Sequence, residues 1–133
     1  MATSHVTDEE LSAALAEAAS AFQARRSSLL PAEVASALPA AGQVMRGLIA
    51  TGDVFVSSNE ERAAVMEAVP EALCVEMEGA SVAQVAHAYG VPVAVVRVIS
   101  DKADGDAATL LMTALGSFAG AYAGGVVGPV LRG

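Results

Sequence analysis

Apolar positions in this chain first recur with a helical period. Leu11, Leu15, Ala18 and Phe22 follow Thr7-Asp8-Glu9-Glu10, in which Thr7 holds an N-cap position and Glu10 stands three residues on. The pattern predicts a capped helix running to about Arg25. Residues 27–43, with their prolines and alanines, read as a loop with a short helical turn. Gly47-Leu48-Ile49-Ala50 is a compact apolar run ended by Thr51-Gly52-Asp53, and it reads as a strand with Phe55 and Val56 just beyond its end. Ser58-Asn59-Glu60-Glu61 opens a second helix that Pro70 ends, since proline lacks the N–H a helix interior needs. Ala72 to Met77 is the next strand, and Gly79 to Tyr89 a helix with Val82, Val85, Ala86 and Tyr89 apolar, stopped by Gly90. Val91 to Ile99 is rich in β-branched residues without period-two alternation and is interrupted only by Arg97; it reads as a strand covered on both faces. From Ala107 the chain is again helical, weakening at Gly124-Gly125.

Strands alternating with helices define an α/β layered fold. A crossover as short as Gly79 to Tyr89 makes its flanking strands parallel, so their carboxyl ends share one edge of the sheet. That edge is where open α/β sheets bind ligands. Both strands finish in acidic clusters, Val75-Glu76-Met77-Glu78-Gly79-Ala80 and Arg97-Val98-Ile99-Ser100-Asp101-Lys102-Ala103-Asp104. Glu78 and Asp101 are therefore expected to face one cleft.

Composition narrows the partners. With 133 residues the chain has room for one domain, and 54% hydrophobic content argues against disorder. A formal net charge of −8 leaves no basic patch for phosphates, so nucleic acid is excluded as a partner. The single cysteine, Cys74, lies between Leu73 and Val75 and reads as a strand thiol in a reducing compartment. Met1 to Ser4 lacks a basic signal-peptide start, and the expected location is cytoplasmic. Ala107 to Leu131 carries no charge, with Gly116, Gly120 and Gly124 at spacing four, which raises a membrane span as a rival. Its Ala, Gly and Thr content and the Gly-Gly and Gly-Pro interruptions favour close helix packing in a soluble protein instead. His5 is expected to be disordered and His87 to lie at the surface. Neither has company at metal-ligand spacing, and no metal or other cofactor is inferred.

Taken residue by residue, the acidic edge supports specific chemistry. Glu78 stands at a helix start, where the dipole and free N–H groups favour an ionised carboxylate, a bidentate acceptor suited to the 2′ and 3′ hydroxyls of a ribose. Asp101 ends an apolar strand, where partial burial raises a carboxyl pKa and equips it as an acid. Arg97 needs an anionic partner, Glu76 or Glu78 on the adjacent strand. Phe55 offers a ring face to a planar base. Each has an ordinary explanation as well: a cap for Glu78, a turn residue for Asp101, a structural pair for Arg97, a core ring for Phe55. Their convergence on one edge favours a nucleoside pocket.

From about Arg46 to Asp104 the chain resembles the carboxyl-terminal half of the purine nucleoside phosphorylase and nucleosidase superfamily, with 5′-methylthioadenosine/S-adenosylhomocysteine nucleosidases the nearest match. The likeness rests on Gly47-Leu-Ile-Ala-Thr-Gly-Asp-Val-Phe-Val56, Val75-Glu-Met-Glu-Gly79 and Arg97-Val-Ile-Ser-Asp-Lys-Ala-Asp104, in the right order and spacing. It implies a three-layer αβα fold with a mostly parallel sheet, incomplete relative to the full family fold, and residues 1–133 as a single, partial domain. It implies that Asp101 protonates the purine at N7 while Ser100 orients it. It also implies that Phe55 stacks on adenine, that the backbone of Val56 and of Ala103 reads the base edge, and that Glu76, Met77 and Glu78 form the sugar side. The implied reaction is hydrolysis of the N-glycosidic bond of adenine nucleosides, with a non-catalytic nucleoside-binding module or inactive fragment as the alternative. Family members are longer, and the glutamate that activates the attacking water belongs to a part of them not matched here. A homodimer or a complementing amino-terminal half is the expected partner, beside the small-molecule nucleoside.

Overall fold

The computed structural model describes residues 3–30, 32, 43–99 and 108–132, with the backbone alone over 108–119. The chain divides into two compact units, one of Met1–Glu9 with Gly47–Ala108 and one of Glu10–Arg46 with Thr109–Gly133.

The first unit carries the sheet. Strand β1 (Leu48–Thr51) and strand β2 (Ala72–Glu76) pair in parallel, with Ile49 opposite Cys74, Ala50 opposite Val75 and Thr51 opposite Glu76. The helices and this small parallel sheet make the protein α/β, the class expected from the alternating pattern. A helix between the two strands, α2 (Asn59–Ala68), completes the crossover and starts in a full capping box. Ser58 Oγ accepts from Glu61 N at 3.2 Å, and Glu61 Oε2 accepts from Ser58 N at 3.1 Å and from Ser57 N at 2.8 Å. The Ser57 N–H is the main reason the Glu61 carboxyl lies below its ordinary range. Helix α3 (Gly79–Ala88) follows β2 directly and ends where the sequence placed its stop. Gly90 has φ 65°, and the N–H groups of Gly90 and Val91 close back on His87 O at 3.1 Å and Ala86 O at 2.9 Å. This paired closure satisfies the last carbonyls and requires the left-handed conformation that glycine adopts without strain.

Three expectations for this unit are corrected. Residues 91–99 form no ladder; among the described residues the sheet has two strands. Pro92 has no N–H to give, and the Val93 carbonyl accepts instead from Asp8 N at 2.7 Å. β-branched richness thus reported an extended propensity without a pairing partner. Secondly, the buried residues of α3, which contacts β1, are Gly79 and Ala83, whereas Val82, Val85 and Tyr89 are exposed. A Cβ at Gly79 would crowd the Glu76 carboxylate, so this face of α3 is the covered one and the larger side chains lie outward. Thirdly, His5 is ordered: its ring lies 5.6 Å from that of His87, and His87 Nε2 is 2.9 Å from Val6 O.

In the second unit, α1 (Glu9–Leu29) packs against α4 (Ala108–Arg132). The predicted periodicity is borne out: Ala19, Phe22 and Leu30 are buried with Tyr122 and Val126, and Leu15 and Ala18 pack against them. The Phe22 and Tyr122 rings lie 4.5 Å apart, centroid to centroid, tilted by 57°, within the preferred range for aromatic pairs. Helix α4 continues through Gly124-Gly125, contrary to expectation. The reason is contact. A Cβ on Gly125 would collide with the Phe22 ring, whereas one on Gly120 or Gly124 would meet nothing. Gly125 therefore gives the aromatic pair its room; it stands outside the spacing-four series, whose described members Gly120 and Gly124 face open space. Gly125→Ala is expected to destabilise this unit by about 1–3 kcal/mol through overpacking, with Gly124→Ala neutral or mildly stabilising, as thermal melts of the two variants would show. Among the described residues, no helix is long and apolar enough to cross a membrane.

Candidate active site

Parallel pairing puts the ends of β1 and β2 side by side, so the residues that finish them meet. Thr51 and Glu76 are register partners, and the Gly52 N–H donates to Glu76 O at 3.0 Å just past the ladder. The Thr51 hydroxyl donates to Glu76 Oε1 and accepts from Ala80 N at 3.0 Å. Glu76 also accepts from Gly79 N at 2.8 Å and from Glu78 N at 3.1 Å. Its Oε2 pairs with Arg97 Nη2. Glu76 is thus the hub of the edge, its side chain only 7% exposed and both its oxygens engaged within the protein. Burial pushes its carboxyl up, but the Thr51 hydroxyl, the Glu78 and Gly79 N–H groups and the Arg97 charge together hold it below the ordinary range. It is a permanent anion at neutral pH.

This arrangement decides between the two roles the sequence left open for Glu78. Glu78 occupies the N-cap position of α3, yet its side chain makes no cap bond. The first N–H groups of α3 are served by Glu76 and Thr51 instead. Glu78 is left 69% exposed, tied at Oε2 to Arg97 Nη2 at 3.2 Å. One guanidinium nitrogen therefore holds both carboxylates, as the sequence required of Arg97, although Arg97 sits at the surface rather than inside a buried strand. Among the described residues Glu78 Oε1 has no hydrogen-bond partner. An anchored carboxylate with one open oxygen can accept from a pair of hydroxyls.

The other predicted residues fall as follows. Phe55 lies beyond β1 with its ring 70% exposed, which removes the core explanation for it. Val56 is half-buried in the same segment, and Met77 is exposed between Glu76 and Glu78. Ser100, Asp101 and Ala103 lie outside the described residues. Cys74 is half-buried; burial raises its thiol, Glu76 raises it further and Arg97 opposes both, so it stays protonated and suits packing, not nucleophilic attack. Sequence reasoning missed Thr51. Its type and place at a strand end were visible, but its partners depend on which residue of β2 stands opposite.

An α/β protein that gathers an anchored acid pair and an exposed ring beyond the carboxyl ends of parallel strands has the outline of a small-molecule site. The chain belongs to the phosphorylase superfamily, whose family model matches residues 2–121. It is 48% identical over 65 residues to the 5′-methylthioadenosine/S-adenosylhomocysteine nucleosidase of Actinobacillus succinogenes, an alignment covering 49% of this chain and 28% of that protein. It is 53% identical over 58 residues to the same-named protein of Glaesserella parasuis, covering 44% and 25%. The crystal structure of a candidate methylthioadenosine nucleosidase from Weissella paramesenteroides superimposes with a TM-score of 0.67 at 35% identity, covering 92% of this chain and 45% of that one. The chain thus spans about a quarter of the curated relatives it matches.

Proposed function

We propose that the chain supplies the base- and sugar-binding side of a nucleosidase that hydrolyses the N-glycosidic bond of 5′-methylthioadenosine and S-adenosylhomocysteine and releases adenine. The observation that carries the reading is the Glu76–Arg97–Glu78 arrangement at the end of β2, which among the described residues leaves one Glu78 oxygen without a partner. Likeness to proteins of that name supports the substrate class.

In this reading the ribose diol donates to Glu78, whose charge also favours the cationic character the sugar gains as the bond to the base lengthens. Met77 packs on the sugar, Phe55 stacks on the adenine, and the backbone of Val56 and of Ala103 reads the base edge. Asp101, oriented by Ser100, protonates N7 so that adenine departs as a neutral base. Glu76 acts from behind, holding Arg97 and the start of α3. The group that activates water comes from a complementing amino-terminal half, and a homodimer is the other partner expected. The setting is cytoplasmic, in the salvage of methionine from its nucleoside by-products, and residues 1–133 act as a single partial domain.

Titration calorimetry with 5′-methylthioadenosine, followed by chromatography of the mixture for adenine, tests this. Binding with adenine release supports hydrolysis. Binding without release makes the chain a nucleoside-binding module. No binding sinks both. Glu78→Gln is expected to weaken nucleoside binding by roughly 10- to 100-fold, the worth of a hydrogen bond to a charged acceptor. Its melting temperature should stay at the wild-type value, because the side chain is mostly exposed.

A further inference from the structure

Nothing in the nucleosidase reading gives Thr51 a role, yet its hydroxyl touches both the buried carboxylate and the start of α3. We propose that Thr51 is a positioning residue for the sugar-binding carboxylate, setting the stance of Glu78 through Glu76 and Arg97. This inference rests on the reading of Glu78 as the diol acceptor.

The argument is geometric. A hydroxyl carries one donor and two acceptor positions. Thr51 spends the donor on Glu76 Oε1 and an acceptor position on Ala80 N. Gly79 N and Ala80 N are among the first donors of α3, which have no partner within the helix, and they are divided between Glu76 and Thr51. The two side chains belong to different strands and are brought together only because Thr51 stands opposite Glu76 in the parallel register. Together they pin the first turn of α3 to the end of β1, and Glu78 is the residue immediately before that turn.

The chain of contacts then runs outward. Glu76 Oε2 holds Arg97 Nη2, and the same nitrogen reaches Glu78 Oε2 at 3.2 Å. Without the Thr51 hydroxyl, Glu76 loses the contact that aligns Oε1, and the half-buried Ala80 N–H loses its acceptor. Glu76 is then free to turn, Arg97 moves with it, and Glu78 is no longer presented with one oxygen open. Valine matches threonine in shape and lacks only this chemistry; serine keeps the chemistry and loses a methyl group.

The test uses the full chain with Thr51→Val, Thr51→Ser, Glu78→Gln and the Thr51→Val/Glu78→Gln double variant. Calorimetry is run with 5′-methylthioadenosine and with its 2′,3′-dideoxy counterpart. Thr51→Val should weaken the ribonucleoside about 10-fold, within the coupling range of residues in one hydrogen-bond network, and leave the dideoxy compound nearly unchanged. Thr51→Ser should restore most of the affinity, and the double variant should bind as Glu78→Gln alone does. Equal weakening of both compounds, additive effects in the double variant, or wild-type affinity in Thr51→Val would each overturn the inference. A readout independent of nucleoside is the carboxylate carbon signal of Glu76, assigned by its loss in Glu76→Gln. Its titration should move upward in Thr51→Val and not in Thr51→Ser, and an unmoved titration overturns the inference whether or not nucleoside binds. Failure of the wild type to bind either nucleoside counts against the nucleosidase reading, and the Glu76 titration then decides the role of Thr51 alone.

Discussion

Asparagine at position 101 is expected to slow adenine release by ~10²–10⁴-fold, the range that a positioned general acid contributes. The side chain keeps its shape and polarity and loses only the proton it could deliver. Adenine expelled without protonation at N7 is an anion and a poor leaving group, so the loss should fall on turnover and spare affinity. A riboside whose leaving group needs no protonation, such as 4-nitrophenyl riboside, should be cleaved at nearly equal rates by both forms. The measurement is the rate of adenine formation at saturating 5′-methylthioadenosine in whichever assembly proves active. A wild-type rate from Asp101→Asn would remove this residue from the reaction.

The second large effect belongs to Glu76. Glu76→Gln should lower the stability of the sheet-bearing unit by about 2 kcal/mol. Breaking a buried pair from one side costs roughly 3–5 kcal/mol, and the value is reduced here because Arg97 is 36% exposed and partly hydrated. The amide also turns a donor toward groups that are themselves donors, Arg97 or the helix N–H groups. The sign of the pH dependence follows from the carboxyl lying below its ordinary 4.5 in the folded state. Its contribution is fully present above the unfolded value and is lost as pH falls through the lower, folded value. Melting curves taken from pH 7 into the acid range should show the gap between the wild type and Glu76→Gln narrowing as pH falls. A constant gap over that range would show that ionised Glu76 is not what stabilises this edge.

The contrast between Glu76 and Glu78 marks how far the sequence could be read. Both carboxylates were visible in Glu76-Met77-Glu78, as was the need of Arg97 for one of them. Spacing alone leaves Glu78 two roles, cap or open acceptor, and does not show that Glu76 serves the start of α3. Thr51, supplied from the other strand, gives Glu76 a donor that Glu78 cannot reach, and local spacing carries no trace of that. The exposed face of α3 has a similar cause. Val82, Val85 and Tyr89 are apolar at helical spacing, but Gly79 and Ala83 are the residues of α3 that are buried. Periodicity reports that a helix has an apolar face, and packing decides which face is covered.

Local chemistry written along the chain determined the elements that depend on neighbours a few residues apart. These are the helix start at Ser58, the left-handed stop at Gly90 and the buried stripe of α1. The parallel pair expected across residues 79–89 did not form among the described residues, and β2 pairs with β1 instead. Tertiary structure alone decided what depends on partners distant in sequence: the Thr51–Glu76 register, the sharing of one Arg97 nitrogen by two carboxylates, the diversion of Val93 O to Asp8, and the room Gly125 leaves for Phe22. Hydrogen bonds and close contacts are short-ranged, so they form only between groups that the folded backbone has already brought within reach.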